Sequence, residues 1–224
     1  MSITDNLLHI RSTLPEQVQL VAVSKTKSID EILEAYKTGQ RVFGENKVQE
    51  LLTKWESLPK DIEWHYIGHL QSNKVKYIAP FIAMIHAVDS IKILNVINEE
   101  GRRYGRRIPC LLQFHIAKEE SKFGFQTSGV DELFSSVELA ALDYILFSGV
   151  MGMATYTEDH EVIDFEFSNL HTLFDKLKST YFSENDNFAE ISMGMSHDYL
   201  QAIQNGSTMV RIGSTIFGER NISV

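Results

Sequence analysis

Apolar, β-branched runs recur along the chain at fairly even intervals. They are LVAVS (20–24), RVFGE (41–45), WHYIG (64–68), MIHAV (84–88), CLLQFHI (110–116), YILFSGVM (144–151), FAEISMG (188–194) and MVRIGSTIF (209–217). Most are apolar at consecutive positions, as in parallel strands covered on both faces. The segments between them repeat apolar residues every three or four positions. SIDEILEAYKTG begins at Ser28, an N-cap residue type, and closes at Gly39. ENKVQELLTKWESL puts Val48, Leu51, Leu52 and Trp55 on one stripe, and SIKILNVINEEGRRYG does the same with Ile91, Leu94 and Ile97. Further helices are expected over 159–182 and 196–206, around 71–80 and 128–140, and at the amphipathic N-terminus MSITDNLLHIR.

A first helix followed by alternating β and α elements implies a parallel sheet with right-handed crossovers. Eight such strands predict a closed (β/α)8 barrel of the TIM type, with residues 1–224 as a single domain. A doubly wound open sheet is the alternative, but no glycine-rich dinucleotide fingerprint follows the first strand. Composition changes the picture only by exclusion. The formal net charge of −9 argues against nucleic acid as a partner. The arginines at 102, 103, 106 and 107 suit the carbonyl end of a helix. Cys110 is the lone cysteine, so neither an internal disulfide nor a thiolate metal cluster is available. The first residues lack the pattern of a secretion signal, and no uncharged run approaches membrane-spanning length. A cytoplasmic protein away from membranes is expected.

Barrel chemistry gathers where strands end. There the pattern breaks into Ser24-Lys25, Asn46, His69 and Asn73, HIAKEESKFGF, GVMGMATY, SMGMSHD and RIGST. Two of these stretches resemble anion-binding turns. In MGMSHD, Gly194 and Met195 lead to Ser196, read as the N-cap of a helix. In RIGST, Gly213 lets the backbone approach a ligand, and the hydroxyls of Ser214 and Thr215 can donate. Loops after the last two strands of a barrel commonly hold a phosphate. Arg211 lies two residues before Gly213, so it points into the barrel and needs a partner: a ring nitrogen, a carboxylate, or a structural pairing with Glu45, Asp89 or Glu190. Lys25, at the end of the first strand, is a candidate amine for a phosphorylated carbonyl compound, either a phosphosugar or pyridoxal 5′-phosphate (PLP). Lys27 is expected in solvent. Metal ligation by His65, His69, His86 and His115 finds no paired-ligand spacing.

The stretches VAVSKTKS, FGENKVQE, WHYIGHLQSNK, EESKFGF and EISMGMSHDYLQAIQNGSTMVRIGSTIFGER resemble the PLP homeostasis proteins, from about Leu20 to Arg220. The resemblance implies a barrel similar to the N-terminal domain of alanine racemase. It implies PLP as a Schiff base on Lys25, phosphate held by Ser196, Gly213 and Ser214 with backbone groups near Met195, Asn46 beside the ring, and Arg211 facing the pyridine nitrogen. The family usually has Thr or Ala at 214 and 215, Asn where this chain has His115, read as a residue of the barrel floor, and a larger residue at Gly152. A cation at the ring nitrogen disfavours its protonation and hence strong catalysis. Racemisation also requires a second acid/base, which the racemases draw from a C-terminal domain; Tyr156 and His69 are weak substitutes. The implied role is therefore a carrier or buffer of PLP, monomeric, delivering to PLP-dependent apoenzymes, with weak amino-acid racemisation as the alternative. Lys122 is a second amine at the rim, read as a surface residue.

Overall fold

The computed structural model describes residues 2–119, 123–136 and 141–219. Lys122, Arg220 and the end of the expected 128–140 helix lie outside the described residues. The strands are β1 (Gln19–Val23), β2 (Val42–Glu45), β3 (Glu63–Tyr66), β4 (Met84–Val88), β5 (Ile108–His115), β6 (Phe125–Gln126), β7 (Ile145–Met151), β8 (Glu190–Ser192) and β9 (Met209–Ile212). The helices are α1 (Ile3–Thr13), α2 (Ile29–Lys37), α3 (Val48–Ser57), α4 (Val75–Ile78), α5 (Ile91–Arg103), α6 (Val130–Ser136), α7 (His160–Thr180), α8 (Tyr199–Gln204) and α9 (Ser214–Phe217).

All pairings are parallel, and the order β1-β2-β3-β4-β5-β7-β8-β9 closes through β9 onto β1. The eight expected strands are therefore the eight staves of the barrel. The two-residue β6, which no sequence run announced, pairs with the end of β5 through Phe114 and His115.

Alternation divides the apolar residues into two layers. Leu20, Ala22, Phe43, Trp64, Ile85, Leu112, Val150 and Ile212 join the helices in one large buried cluster. Val21, Val42 and Met209 form a small separate cluster with Met84, and Ala87, Leu111 and Met151 form another. Arg211 is register partner of Val21 across the β1–β9 seam. Position 25 follows Val21 and Val23 on the same side by period-two alternation, which aims both polar residues at one end of the barrel.

Local chemistry sets the helix ends. Ser28 caps α2 as expected, with Glu31 reaching back to the Ser28 N–H at 2.7 Å. Gly39 follows at φ +87°, a conformation that glycine adopts without steric penalty. Two expectations are corrected. The run 209–217 is not one strand: β9 stops at Ile212, and the Gly213 carbonyl accepts from Ile216 and Phe217, starting α9. Ser196 does not cap a helix. A turn closed by Asp198 N–H and Tyr199 N–H on the Met195 carbonyl intervenes, and Asp198 is the N-cap residue of α8.

Candidate functional site

A cavity of about 400 Å³ opens at the C-terminal end of the barrel. It has the size of a small-molecule site. Lys25, Asn46, Met195, Ser196, Arg211, Gly213 and Ser214, all singled out in the sequence, line it together. His69, Asn73 and His115 do not. His69 pairs with Asp89 at 2.7 Å and stacks on Phe123. His115 belongs to the rim rather than the barrel floor: it ends β5 half-buried, with Nε2 2.7 Å from the Glu119 carbonyl oxygen.

At one end of the cavity the β8 and β9 turns meet. The Gly213 N–H donates to Ser196 Oγ at 3.3 Å, which joins the two turns and leaves the Ser196 hydroxyl proton for another acceptor. A side chain at Gly213 would lie 3.1 Å from the Val23 carbonyl oxygen, so the glycine keeps the cradle open against β1. The Met195 N–H is already committed to Asp198 Oδ1 at 2.5 Å. The first N–H groups of α9 have no intrahelical acceptor by the geometry of a helix start. Ser214 and Thr215 there are exposed. Lys27, expected in solvent, is instead drawn in. Its Nζ donates to the Phe217 carbonyl at 2.8 Å and pairs with Glu31, tying the β1 turn to α9.

Arg211 is 4% exposed. Its guanidinium donates to Ser192 Oγ at 2.5 Å and to the Gly152 carbonyl at 3.0 Å. None of the three expected carboxylates takes it: Glu45 pairs with Lys54, Asp89 with His69, and Glu190 accepts from Thr208. Burial lowers the guanidinium pKa to about 10, against the opposing field of Asp198, so it stays charged at neutral pH. At Gly152, where the resemblance leads to the expectation of a larger residue, a Cβ would lie 2.8 Å from the side-chain ends of Ile116 and Leu170, which would have to shift to admit it.

The arginine heads a buried chain. Ser192 Oγ lies 3.0 Å from His86 Nδ1, and His86 Nε2 lies 2.9 Å from His65 Nδ1. With Arg211 donating to Ser192, the hydroxyl proton falls to His86 Nδ1, and His86 then donates through Nε2–H to His65. Both imidazoles are neutral. Burial pushes His65 down to about 3, and burial first, then the charge a protonated His65 would add and that of Arg211, hold His86 well below its ordinary value.

A second buried group lies beside Lys25. Lys54 Nζ donates to Glu45 Oε1 and Glu50 Oε1, each at 2.6 Å, and to the Ser24 carbonyl at 2.8 Å. Ser24 Oγ donates to the same Glu45 oxygen at 2.6 Å. Burial lifts the Glu45 carboxyl above the usual range in spite of Lys54. Tyr66 donates to the Asn46 carbonyl at 3.0 Å, and burial raises its hydroxyl to about 12. Gly68 permits this packing, since a Cβ there would meet Asn46 at 2.6 Å.

Sequence reasoning missed Lys54, Ser192, His197 and Met153. Lys54 carried a signal: three residues after Leu51 and four before Leu58, it falls on the buried face of α3. Ser192 and the histidine pair gave none, because their link joins β3, β4 and β8 in space. His197 and Tyr156, whose rings contact edge to face at 4.9 Å, stand at the cavity mouth.

Comparison with known proteins agrees with this architecture. The family described as "Alanine racemase, N-terminal domain" matches residues 1–221. A pyridoxal phosphate homeostasis protein of Pasteurella multocida (strain Pm70) is 36% identical over 236 residues, with 100% of each chain covered. PipY of Synechococcus elongatus PCC7942, solved without PLP, is 32% identical, with a TM-score of 0.90 over 97% of this chain and 100% of that one. The same protein with PLP bound matches at a TM-score of 0.86, with the same identity and coverage. An alanine racemase of Clostridium difficile 630, 18% identical at a TM-score of 0.78, shares the fold over 99% of this chain and 57% of the racemase.

Proposed function

The chain belongs to the pyridoxal phosphate homeostasis proteins, and from that premise we propose that it binds PLP through Lys25 and serves as a carrier and buffer of the cofactor. The observation that carries this reading is the convergence of an amine, an anion cradle and a buried guanidinium on one cavity. When bound, PLP supplies a reactive aldehyde and a ring that withdraws electrons once its nitrogen is protonated. The residues fit that group. Lys25 offers the amine that takes up the aldehyde as a Schiff base; the carbonyl oxygen leaves as water, and water returning to the same bond releases the aldehyde. Ser196, Ser214 and the open cradle at Gly213 suit the phosphate, and Asn46, which lines the same cavity, would flank the ring.

Arg211 sets the chemistry. A guanidinium held by Ser192 and Gly152 opposes a second positive charge on the ring nitrogen, which keeps the ring a weak electron sink. That favours reversible storage over turnover. Racemisation needs a second acid/base opposite Lys25. Tyr156 is 79% exposed and contacts His197 at the mouth, which supports the carrier reading. Delivery is to PLP-dependent apoenzymes in the cytoplasm.

The test is titration of the protein with PLP, followed by the visible absorbance of its imine, alongside Lys25→Ala. Wild type turns yellow with saturation at one equivalent, and the variant stays at the spectrum of free PLP. Equal spectra for the two proteins would overturn the assignment. Incubation with L-alanine in deuterated water checks the carrier role: rapid exchange at Cα would establish an enzyme instead.

A further inference from the structure

Thr26, the residue after Lys25, has φ +66°, the sole non-glycine positive φ among the described residues. A β-branched side chain in this region is an outlier and is held only by its surroundings. The holding group is visible. The Thr26 N–H donates to Glu50 Oε1 at 2.6 Å, and that same oxygen accepts from Lys54 Nζ. On the other side of Lys25, the Ser24 carbonyl accepts from Lys54, and the Ser24 hydroxyl is bonded to Glu45. One ion cluster thus grips the peptide groups on both sides of Lys25.

We infer that Glu50 and Lys54, neither of which lines the cavity, are positioning residues that fix the backbone around Lys25 and so orient its amine toward the aldehyde. This rests on the reading that Lys25 is the amine. Stability alone does not account for the cluster. A buried ion pair is generally no more stabilising than an apolar replacement, and a leucine at 54 would complete the apolar face of α3. Glu45 Oε2 is left buried without a hydrogen-bond partner. What the cluster secures is the strained turn: Lys25 leaves β1 on the inner side, Thr26 reverses the chain, and Ser28 opens α2.

The test uses the full chain with Glu50→Ala, Glu50→Gln, Thr26→Gly and the Glu50→Ala/Thr26→Gly double variant. Each is titrated with PLP and with pyridoxine 5′-phosphate, which keeps ring and phosphate but has no aldehyde. Glu50→Ala is expected to weaken PLP binding about tenfold, the scale of one charge-assisted hydrogen bond, and to slow imine formation similarly. Pyridoxine 5′-phosphate binding should stay within about twofold, because the cradle is untouched. Glu50→Gln keeps an acceptor for the Thr26 N–H and should behave nearly as wild type. Glycine adopts the left-handed conformation freely, so Thr26→Gly should restore most of the loss in the double variant. Wild-type PLP binding and rate in Glu50→Ala would overturn the inference. So would equal weakening of both ligands, which would mark general damage, or a double variant no better than Glu50→Ala. Wild type failing to form an imine at all would instead remove the reading of Lys25, and this inference with it.

Discussion

The buried imidazole chain makes the barrel sensitive to acid. His65 titrates near 6.5 in an unfolded chain and about 3 in the fold, because burial excludes its charged form. A folded pKa below the unfolded one means that the unfolded chain binds the extra proton. The contribution of His65 is therefore fully present above pH 6.5 and is lost as pH falls from there toward about 3. Between pH 7 and pH 5 the loss is about 2 kcal/mol, and the slope below pH 6 approaches about 1.4 kcal/mol per pH unit. His86 shifts in the same direction, so its contribution is lost in the same sense as pH falls, against an ordinary stability of about 5–15 kcal/mol. The perturbation is His65→Gln, which keeps an amide to meet His86 but cannot titrate. The assay is urea unfolding at pH 7 and pH 5, with circular dichroism and the fluorescence of Trp55 and Trp64 recorded together. The variant should be less stable at pH 7 yet lose about 2 kcal/mol less than wild type between the two pH values. Carboxylates elsewhere contribute equally to both proteins and cancel. An identical pH loss in wild type and His65→Gln would refute the reasoning.

Arg211→Met should still fold. Burial moves the guanidinium from 12.5 to about 10, a charged-state penalty of about 3 kcal/mol, which offsets much of its two hydrogen bonds at about 1.5–3 kcal/mol each; urea unfolding should show a loss of no more than about 3 kcal/mol. Gly149→Ala should cost more than about 3 kcal/mol, or abolish soluble expression, because a Cβ there would sit 1.8 Å from the Glu190 carbonyl oxygen at φ +148°. Cys110 is fully buried and burial raises its thiol pKa, so an aromatic disulfide reagent should label it only in denaturant; rapid native labelling would contradict the packing of β5.

Much of this was legible along the chain because apolar runs and polar breaks report local structure. The barrel strands announced themselves since both faces of each are covered. Lys25, Asn46, Ser196, Gly213 and Ser214 stood out because each interrupts such a run at its end. What escaped has a common cause: its partners are distant in sequence. Lys54 escapes a stripe drawn through the apolar members of α3, although the position is buried. The hydrogen bonds of Arg211 go to Ser192 on β8 and to Gly152 just after β7 rather than to any carboxylate. Residue type makes Ser196 a candidate cap, but Asp198 occupies the Met195 N–H and is itself the N-cap residue of α8. In the last run, Gly213 ended a strand that periodicity alone would have continued to Phe217.

The proposed carrier function depends on one amine. Borohydride reduction of the protein loaded with PLP, followed by proteolysis and mass mapping, locates the nitrogen that carries the cofactor. The expected result is a single modified site at Lys25 in wild type and unmodified peptides throughout in Lys25→Ala. A label on Lys27 or another lysine in wild type, or an undiminished label in the variant, would contradict it.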